Sequence, residues 1–251
     1  MQETLEQVRS AFNEVSVCKR GERIDLDVEG ATYATYHPDF FLSGYSWDAL
    51  AAGCLLHPQA KNEDQTLRIL LLGLGGGTVT RQLRQLLPNA HLEAVEIDEE
   101  VLRLARTHMM LGAQNILTHT KDAVQFLVDT AETWDVIVDD LYLTDDDDVI
   151  RPKVPDGEYL QLLCKRLAPG SVLLANVITD VGHHEVQARV RNAFAEHFVE
   201  MGIVTPPRGL NEIVVGGEKL LDESAITSQE SVFSAELDRE YWRGLGFQRG
   251  L

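Results

Sequence analysis

The stretch Ile69-Leu70-Leu71-Leu72-Gly73-Leu74-Gly75-Gly76-Gly77-Thr78 carries an apolar, strand-like run directly into a glycine cluster and then into a segment of helical period. Few folds accommodate that junction. Glycine reaches positive φ and carries no Cβ, so the backbone can approach a ligand closely. A helix opening just beyond presents unpaired N–H groups that favour an anionic group. Four glycines in five positions exceed what a plain tight βα turn needs.

From Arg68 onward, short apolar runs alternate with helical-period segments, the pattern of stacked βαβ units on a parallel sheet. Strands are expected at Arg68–Leu72, Leu92–Ile97, Ile116–His119, Val136–Asp139, Ser171–Val177, Glu200–Val204 and Glu212–Val215. Helices are expected at Thr78–Leu87, Glu99–Met110, Ala123–Asp129, Asp156–Leu167 and Glu185–Phe198, the fourth closed by Pro169-Gly170. Ahead of them, Arg23–Val28 and Ala31–Tyr36 alternate around Glu29-Gly30 as a β-hairpin. The division that follows is an N-terminal annex over 1–60, an α/β nucleotide-binding domain over 61–217 and a C-terminal extension over 218–251 with one helix around Phe233–Leu245.

Composition narrows the partners. The 251 residues hold 22 basic and 40 acidic side chains, a formal charge of −18. That field repels phosphate, and without a basic patch no nucleic-acid partner is expected, whereas a cationic small molecule is. Cys18, Cys54 and Cys164 form no C-x-x-C pair, which suits a reducing compartment and no structural metal. No run approaches the roughly 20 apolar residues of a membrane span, and Met1–Glu6 has no basic n-region, so the expected location is the cytoplasm. His183-His184 has no third ligand at metal spacing and is read as surface.

Candidate site residues lie at the carboxyl ends of the expected strands, where open α/β sheets bind ligands. Gly73, Gly75 and Gly77 form G-x-G-x-G rather than the dinucleotide G-x-G-x-x-G, a pattern similar to class I AdoMet-dependent transferases. Glu96 and Ile97 end the second strand about twenty residues later, where a carboxylate can accept the ribose hydroxyls. Asp122 and Ala123 follow the third strand; the Asp can take an exocyclic adenine amine, cap the next helix, or do both. Asp139 and Asp140 end the fourth, and Asp140 is the first choice for the reacting centre. Tyr45 and Tyr142 are candidates for an acceptor pocket. The run Asp145–Asp148 reads either as a solvated loop or as a lure for a cationic acceptor.

In order, G-L-G-G-G-T-V-T-R, V-E-I-D, K-D-A, W-D-V-I-V-D-D and E-Y-L-Q-L-L-C-K-R-L-A-P-G-S-V-L-L resemble the spermidine synthase (polyamine aminopropyltransferase) family over Arg23–Val177. The resemblance implies a Rossmann-like, class I methyltransferase seven-stranded sheet with helices on both faces, a hairpin annex and a homodimer. It implies a donor, AdoMet or decarboxylated AdoMet, seated by Gly73, Gly75 and Gly77, by Glu96 and Ile97, and by Asp122 with Ala123. Asp140 would border both donor and acceptor and take the nucleophile's proton, with no metal. The departures are specific. The family's G-G-G-D-G Asp is Gly76, its Y-H-E is Tyr45-Ser46-Trp47, the second Asp of its D-x-x-D-P is Leu143, and its hairpin Gln is missing near Ala31-Thr32-Tyr33. Losing a carboxylate at Gly76 favours a donor that keeps its own, so methyl transfer from AdoMet is expected ahead of aminopropyl transfer. A non-catalytic adenosyl-binding role stays as a third option.

Overall fold

The structure, a computed structural model, describes residues 2–62, 64–145 and 148–250. Asp146 and Asp147, the centre of the acidic run, lie outside the described residues. Strands β1 (Gln2–Arg9), β2 (Glu14–Arg20), β3 (Arg23–Val28) and β4 (Ala31–Tyr36) form a four-stranded antiparallel sheet in sequential order. The expected hairpin is therefore half of the annex. β1 escaped notice because its residues are almost all exposed and polar, which leaves no apolar alternation to read.

The central sheet takes β5 (Arg68–Leu72), α2 (Thr78–Leu86), β6 (His91–Glu96), α3 (Glu99–His108), β7 (Ile116–Thr120), α4 (Ala123–Asp129) and β8 (Trp134–Asp139), with α1 (Ser46–Cys54) preceding them. A two-stranded excursion, β9 (Leu143–Asp145) and β10 (Asp148–Ile150), leads to α5 (Gly157–Cys164), β11 (Leu167–Ile178), α6 (His184–His197), β12 (Glu200–Thr205) and β13 (Asn211–Gly217). The chain ends through α7 (Ser224–Thr227), α8 (Glu236–Arg243) and β14 (Gly246–Arg249). The strand order is β14-β12-β13-β11-β8-β5-β6-β7. Pairing is parallel from β11 through β7 and antiparallel from β11 to β14.

The sheet thus has eight strands, not seven. Gly246-Phe247-Gln248-Arg249 carries no strand signal of its own. It pairs with β12, where Phe247 fills the space that a side chain at Gly202 would occupy. A second correction concerns α5, which stops at Cys164. Pro169-Gly170 belong to β11, whose register with β8 shifts between Leu167 and Val172 to absorb them.

Strand alternation sorts the core into two layers. Ile69, Leu71, Val136, Val138, Val172 and Leu174 face α1 and α2, while Leu70, Leu72, Ile137, Leu173 and Ala175 face α4, α5 and α6. α1 lies in the stretch assigned above to the annex, yet it packs into the first of these layers. Gly53 brings it so close to the sheet that a Cβ there would stand 2.5 Å from Leu174 Cδ2. The annex forms its own layer, with Val15, Val17, Leu26 and Val28 against Val101, Leu104 and Met109. Among the described residues no helix is long and apolar enough to cross a membrane.

Candidate active site

β5 and β8 are neighbours, so the glycine loop leaving one runs beside the chain leaving the other. Asp140 N donates to Leu72 O at 2.9 Å, and a Cβ at Gly73 would stand 2.4 Å from the Asp140 carbonyl oxygen. With φ of +85°, only glycine fits there without displacing Asp140. At Gly75 a Cβ would meet the Tyr33 carbonyl at 2.9 Å, because β4 crosses directly over the loop. Thr78 pins that crossing, its hydroxyl accepting from Thr35 N and donating to Thr35 O, both at 2.9 Å.

A cavity of about 1070 Å³ opens beneath this crossing, at the carboxyl ends of the parallel strands. It stands at the top of the range of about 300–1000 Å³ usual for ligand pockets, which leaves room for a nucleoside and a second small molecule. Gly73, Gly75, Glu96, Ile97, Asp122, Ala123, Asp140, Tyr45 and Tyr142 all line it. Gly77 does not. It is the N-cap of α2, behind the loop, where a side chain would strike Leu111.

Glu96 is committed to the loop before any ligand arrives. Its Oε2 accepts from Leu74 N at 3.2 Å and Gly75 N at 2.9 Å, and Oε1 accepts from Asp98 N at 3.2 Å. A carboxylate has about four acceptor positions, so one remains on Oε1 for a ribose hydroxyl. Burial raises the Glu96 pKa, and the three backbone donors oppose the rise. Beside it, Val95, Ile97 and Val101 supply an apolar wall, and Ala123 with Val124 supply another. Asp122 caps α4 through Gln125 N at 2.8 Å while its residue also lines the cavity, so both expected roles stay geometrically open.

Asp139 and Asp140 are adjacent but differently placed. Asp139 is fully buried and paired with Arg151, Nη1 donating at 2.8 Å. Arg151 Nη2 also donates to the Asp139 carbonyl at 2.9 Å and the Asn176 carbonyl at 2.7 Å, and its guanidinium lies 5.2 Å from the Tyr142 ring. Burial works against the Arg151 charge, but the Asp139 carboxylate outweighs it and holds the pKa above its ordinary value. Asp140 faces the cavity. Asn176 Nδ2 donates to its Oδ1 at 2.7 Å, and Asn211 Nδ2 in turn donates to Asn176 Oδ1 at 3.0 Å. Burial pushes the Asp140 pKa up to about 7, with Asn176 and Arg151 restraining it. A carboxyl near neutrality, hydrogen-bonded on one oxygen and set in a cavity wall, is suited to holding an amine and taking its proton.

The Tyr142 hydroxyl donates to the Asn176 carbonyl at 2.8 Å, and burial pushes its pKa to about 12. Tyr45 is 44% exposed and meets Trp47 edge-on at 6.5 Å. Sequence reasoning missed Asn176, Arg151, Asn211 and Tyr33. Asn176 alone left a trace, as the one amide inside the apolar run of β11. Gly76 needs a correction. A Cβ there would stand 2.5 Å from Met109 Sδ and 2.6 Å from Ala34 Cβ, and the residue is outside the cavity lining. The position points into the seam between α3 and the annex. Its lack of a carboxylate therefore says nothing about the donor's tail. Leu143, by contrast, does line the cavity.

Comparison with known proteins agrees with this architecture. The chain is 32% identical over 137 residues to a probable polyamine aminopropyl transferase of Bifidobacterium longum, covering 54% of this chain and 28% of the relative. It is 29% identical over 152 residues to a polyamine aminopropyltransferase of Vibrio vulnificus, covering 59% and 48% respectively. It therefore spans about half or less of the length of these curated relatives. A probable spermidine synthase of Corynebacterium glutamicum superposes with a TM-score of 0.74 at 19% identity, over 90% of this chain and 85% of that one, which establishes the shared fold. The Spermine/spermidine synthase domain matches residues 52–209, from within α1 to the loop before β13, and the chain belongs to that family.

Proposed function

We propose that the protein transfers an aminopropyl group from decarboxylated AdoMet to the amine of a small acceptor. The observation that carries this reading is Asp140, a cavity-wall carboxyl with a pKa near 7, bonded to Asn176 and sharing its cavity with the glycine loop and Glu96. The nucleoside lies along Glu96, Ile97 and Ala123, which brings the sulfonium toward Asp140. An amine arriving as ammonium gives its proton to Asp140, its nitrogen forms a bond to the sulfonium-bound carbon, and the carbon–sulfur bond breaks. Methylthioadenosine leaves as a neutral thioether. Catalysis rests on alignment and on the proton acceptor. The names of the relatives support the aminopropyl donor, and the packing of Gly76 against Ala34 and Met109, outside the cavity lining, weakens the argument for AdoMet.

Methyl transfer from AdoMet is the second reading, favoured by one observation: Leu143 lines the cavity where the family pattern has an Asp, so one acid available to a propylammonium tail is missing. Calorimetric titration with decarboxylated AdoMet, AdoMet and methylthioadenosine separates the two. Tighter binding of the decarboxylated donor is expected. A preference for AdoMet transfers the case to methylation, and failure of all three to bind removes both readings.

A further inference from the structure

The cavity wall contains two guanidinium groups that form no ion pair among the described residues, although the Asp238 carboxylate acts on one of them, Arg81, through space. Arg81 donates from Nη1 to the Phe40 carbonyl at 2.7 Å and lies 4.6 Å from the Tyr36 ring and 4.2 Å from the Phe41 ring. Arg208 lies 4.7 Å from the Tyr241 ring, its backbone N donates to Gly44 O at 2.8 Å, and its Cδ fills the space that a side chain at Gly44 would need. Both line the cavity. Among the described residues neither has an acid within ion-pair distance, whereas Arg151, Arg191 and Arg249 do. In a chain with 40 acidic and 22 basic side chains, the Arg208 guanidinium, held at the cavity wall with no ion pair among the described residues, offers a place for a ligand's negative charge.

The loop carrying Arg208 leads straight into Asn211, which bonds Asn176, which bonds Asp140. One connected wall therefore presents a proton-accepting carboxyl at one point and, at its exposed edge, the Arg208 guanidinium over the Tyr241 ring at another. We propose that the acceptor carries, besides the amine received by Asp140, an anionic group bound by Arg208. The acceptor is thus an amino acid in the broad chemical sense and not a diamine. This rests on the amine-alkylation reading above, and it replaces a purely cationic acceptor with a zwitterionic one.

The test uses the intact protein saturated with methylthioadenosine, titrated calorimetrically with ω-amino acids of three to six carbons and with diamines of the same chain lengths. The amino acids should bind more tightly. Arg208→Gln should weaken them roughly 10- to 100-fold, the loss of one charge-assisted contact, and leave the diamines unchanged. Tighter binding of the diamines, an equal loss for both series, or no binding by any amino acid overturns the proposal. If Arg208→Gln instead weakens AdoMet and spares the amino acids, the carboxylate at Arg208 is the donor's, which also overturns it. The methylthioadenosine titration reports separately on the underlying reading. If that ligand fails to bind, the transferase reading falls, whereas its binding without an amino-acid preference sinks only the zwitterionic acceptor.

Discussion

Asp140 should be a site where function is held at the expense of stability, and Asp140→Asn measures how much. Its carboxyl is raised from an ordinary 3.8 to about 7 by burial. At about 1.4 kcal/mol per pH unit, the ionised group is harder to accommodate folded than unfolded by about 4 kcal/mol. The sign follows from proton counting. Between about pH 4 and pH 7 the unfolded chain has released this proton and the folded chain retains it, so rising pH erodes stability across that window. Above pH 7 both states are ionised and the penalty is constant. Asparagine cannot ionise, and its amide oxygen can still accept from Asn176 Nδ2, so the variant keeps the hydrogen bond and sheds the charge. Allowing for the partial opening of the site to the cavity, Asp140→Asn should be more stable than the parent by about 2–4 kcal/mol at pH 8. The gain should shrink as the pH falls through that window and approach zero only at about pH 4. Urea unfolding of both proteins at one-unit intervals from pH 4 to pH 9 gives the difference directly. A gain that does not vary with pH, or a variant less stable at pH 8, would refute the assignment of a raised, cavity-facing carboxyl. The same variant should lose turnover under either transfer reading, so the two properties should separate in one molecule.

Two further perturbations probe the walls of the site. Arg151→Met leaves the fully buried Asp139 carboxylate without its cation and should cost about 3–5 kcal/mol in urea unfolding; a change below about 1 kcal/mol would mean that the pair contributes little to holding β8 and β11. Glu96→Ala releases the Leu74 and Gly75 amides and removes the ribose acceptor. Methylthioadenosine affinity should fall by about 1.5–3 kcal/mol in a calorimetric titration, and unaltered affinity would confine Glu96 to bracing the loop.

What the sequence disclosed follows the reach of its local signals. Leu70 and Leu72 alternate with Ile69 and Leu71 between two core layers, so β5 reads as one apolar run and the loop after it stands out by composition. α1 was invisible for the opposite reason. Ala49 through Cys54 are buried on every side, so the helix has no polar face and no 3.6-residue period to detect. β1 is exposed on nearly every residue and shows no period of two. Periodicity marks boundaries between inside and outside, and elements wholly on one side of that boundary fall below it.

The site divides along the same line. Gly73, Glu96, Asp122 and Asp140 sit at strand ends, where topology alone brings them together, and spacing along the chain was enough to name them. Their partners come from elsewhere: Asn176 from β11, Arg151 from the segment after β10, and Tyr33 from the annex, whose hydroxyl meets Thr144 Oγ1 at 3.0 Å. These contacts decide the chemistry. Asp139 and Asp140 are adjacent and chemically identical in the sequence. A buried arginine twelve positions beyond Asp139 holds it in the core, and an asparagine from the neighbouring strand leaves Asp140 facing the cavity. Gly76 makes the converse case, since its identity suggested a missing charge while a Cβ there would run into Ala34 and Met109 and the residue is outside the cavity lining. A residue's place in a motif names what it can do, and the atoms packed against it decide whether it faces the reaction at all.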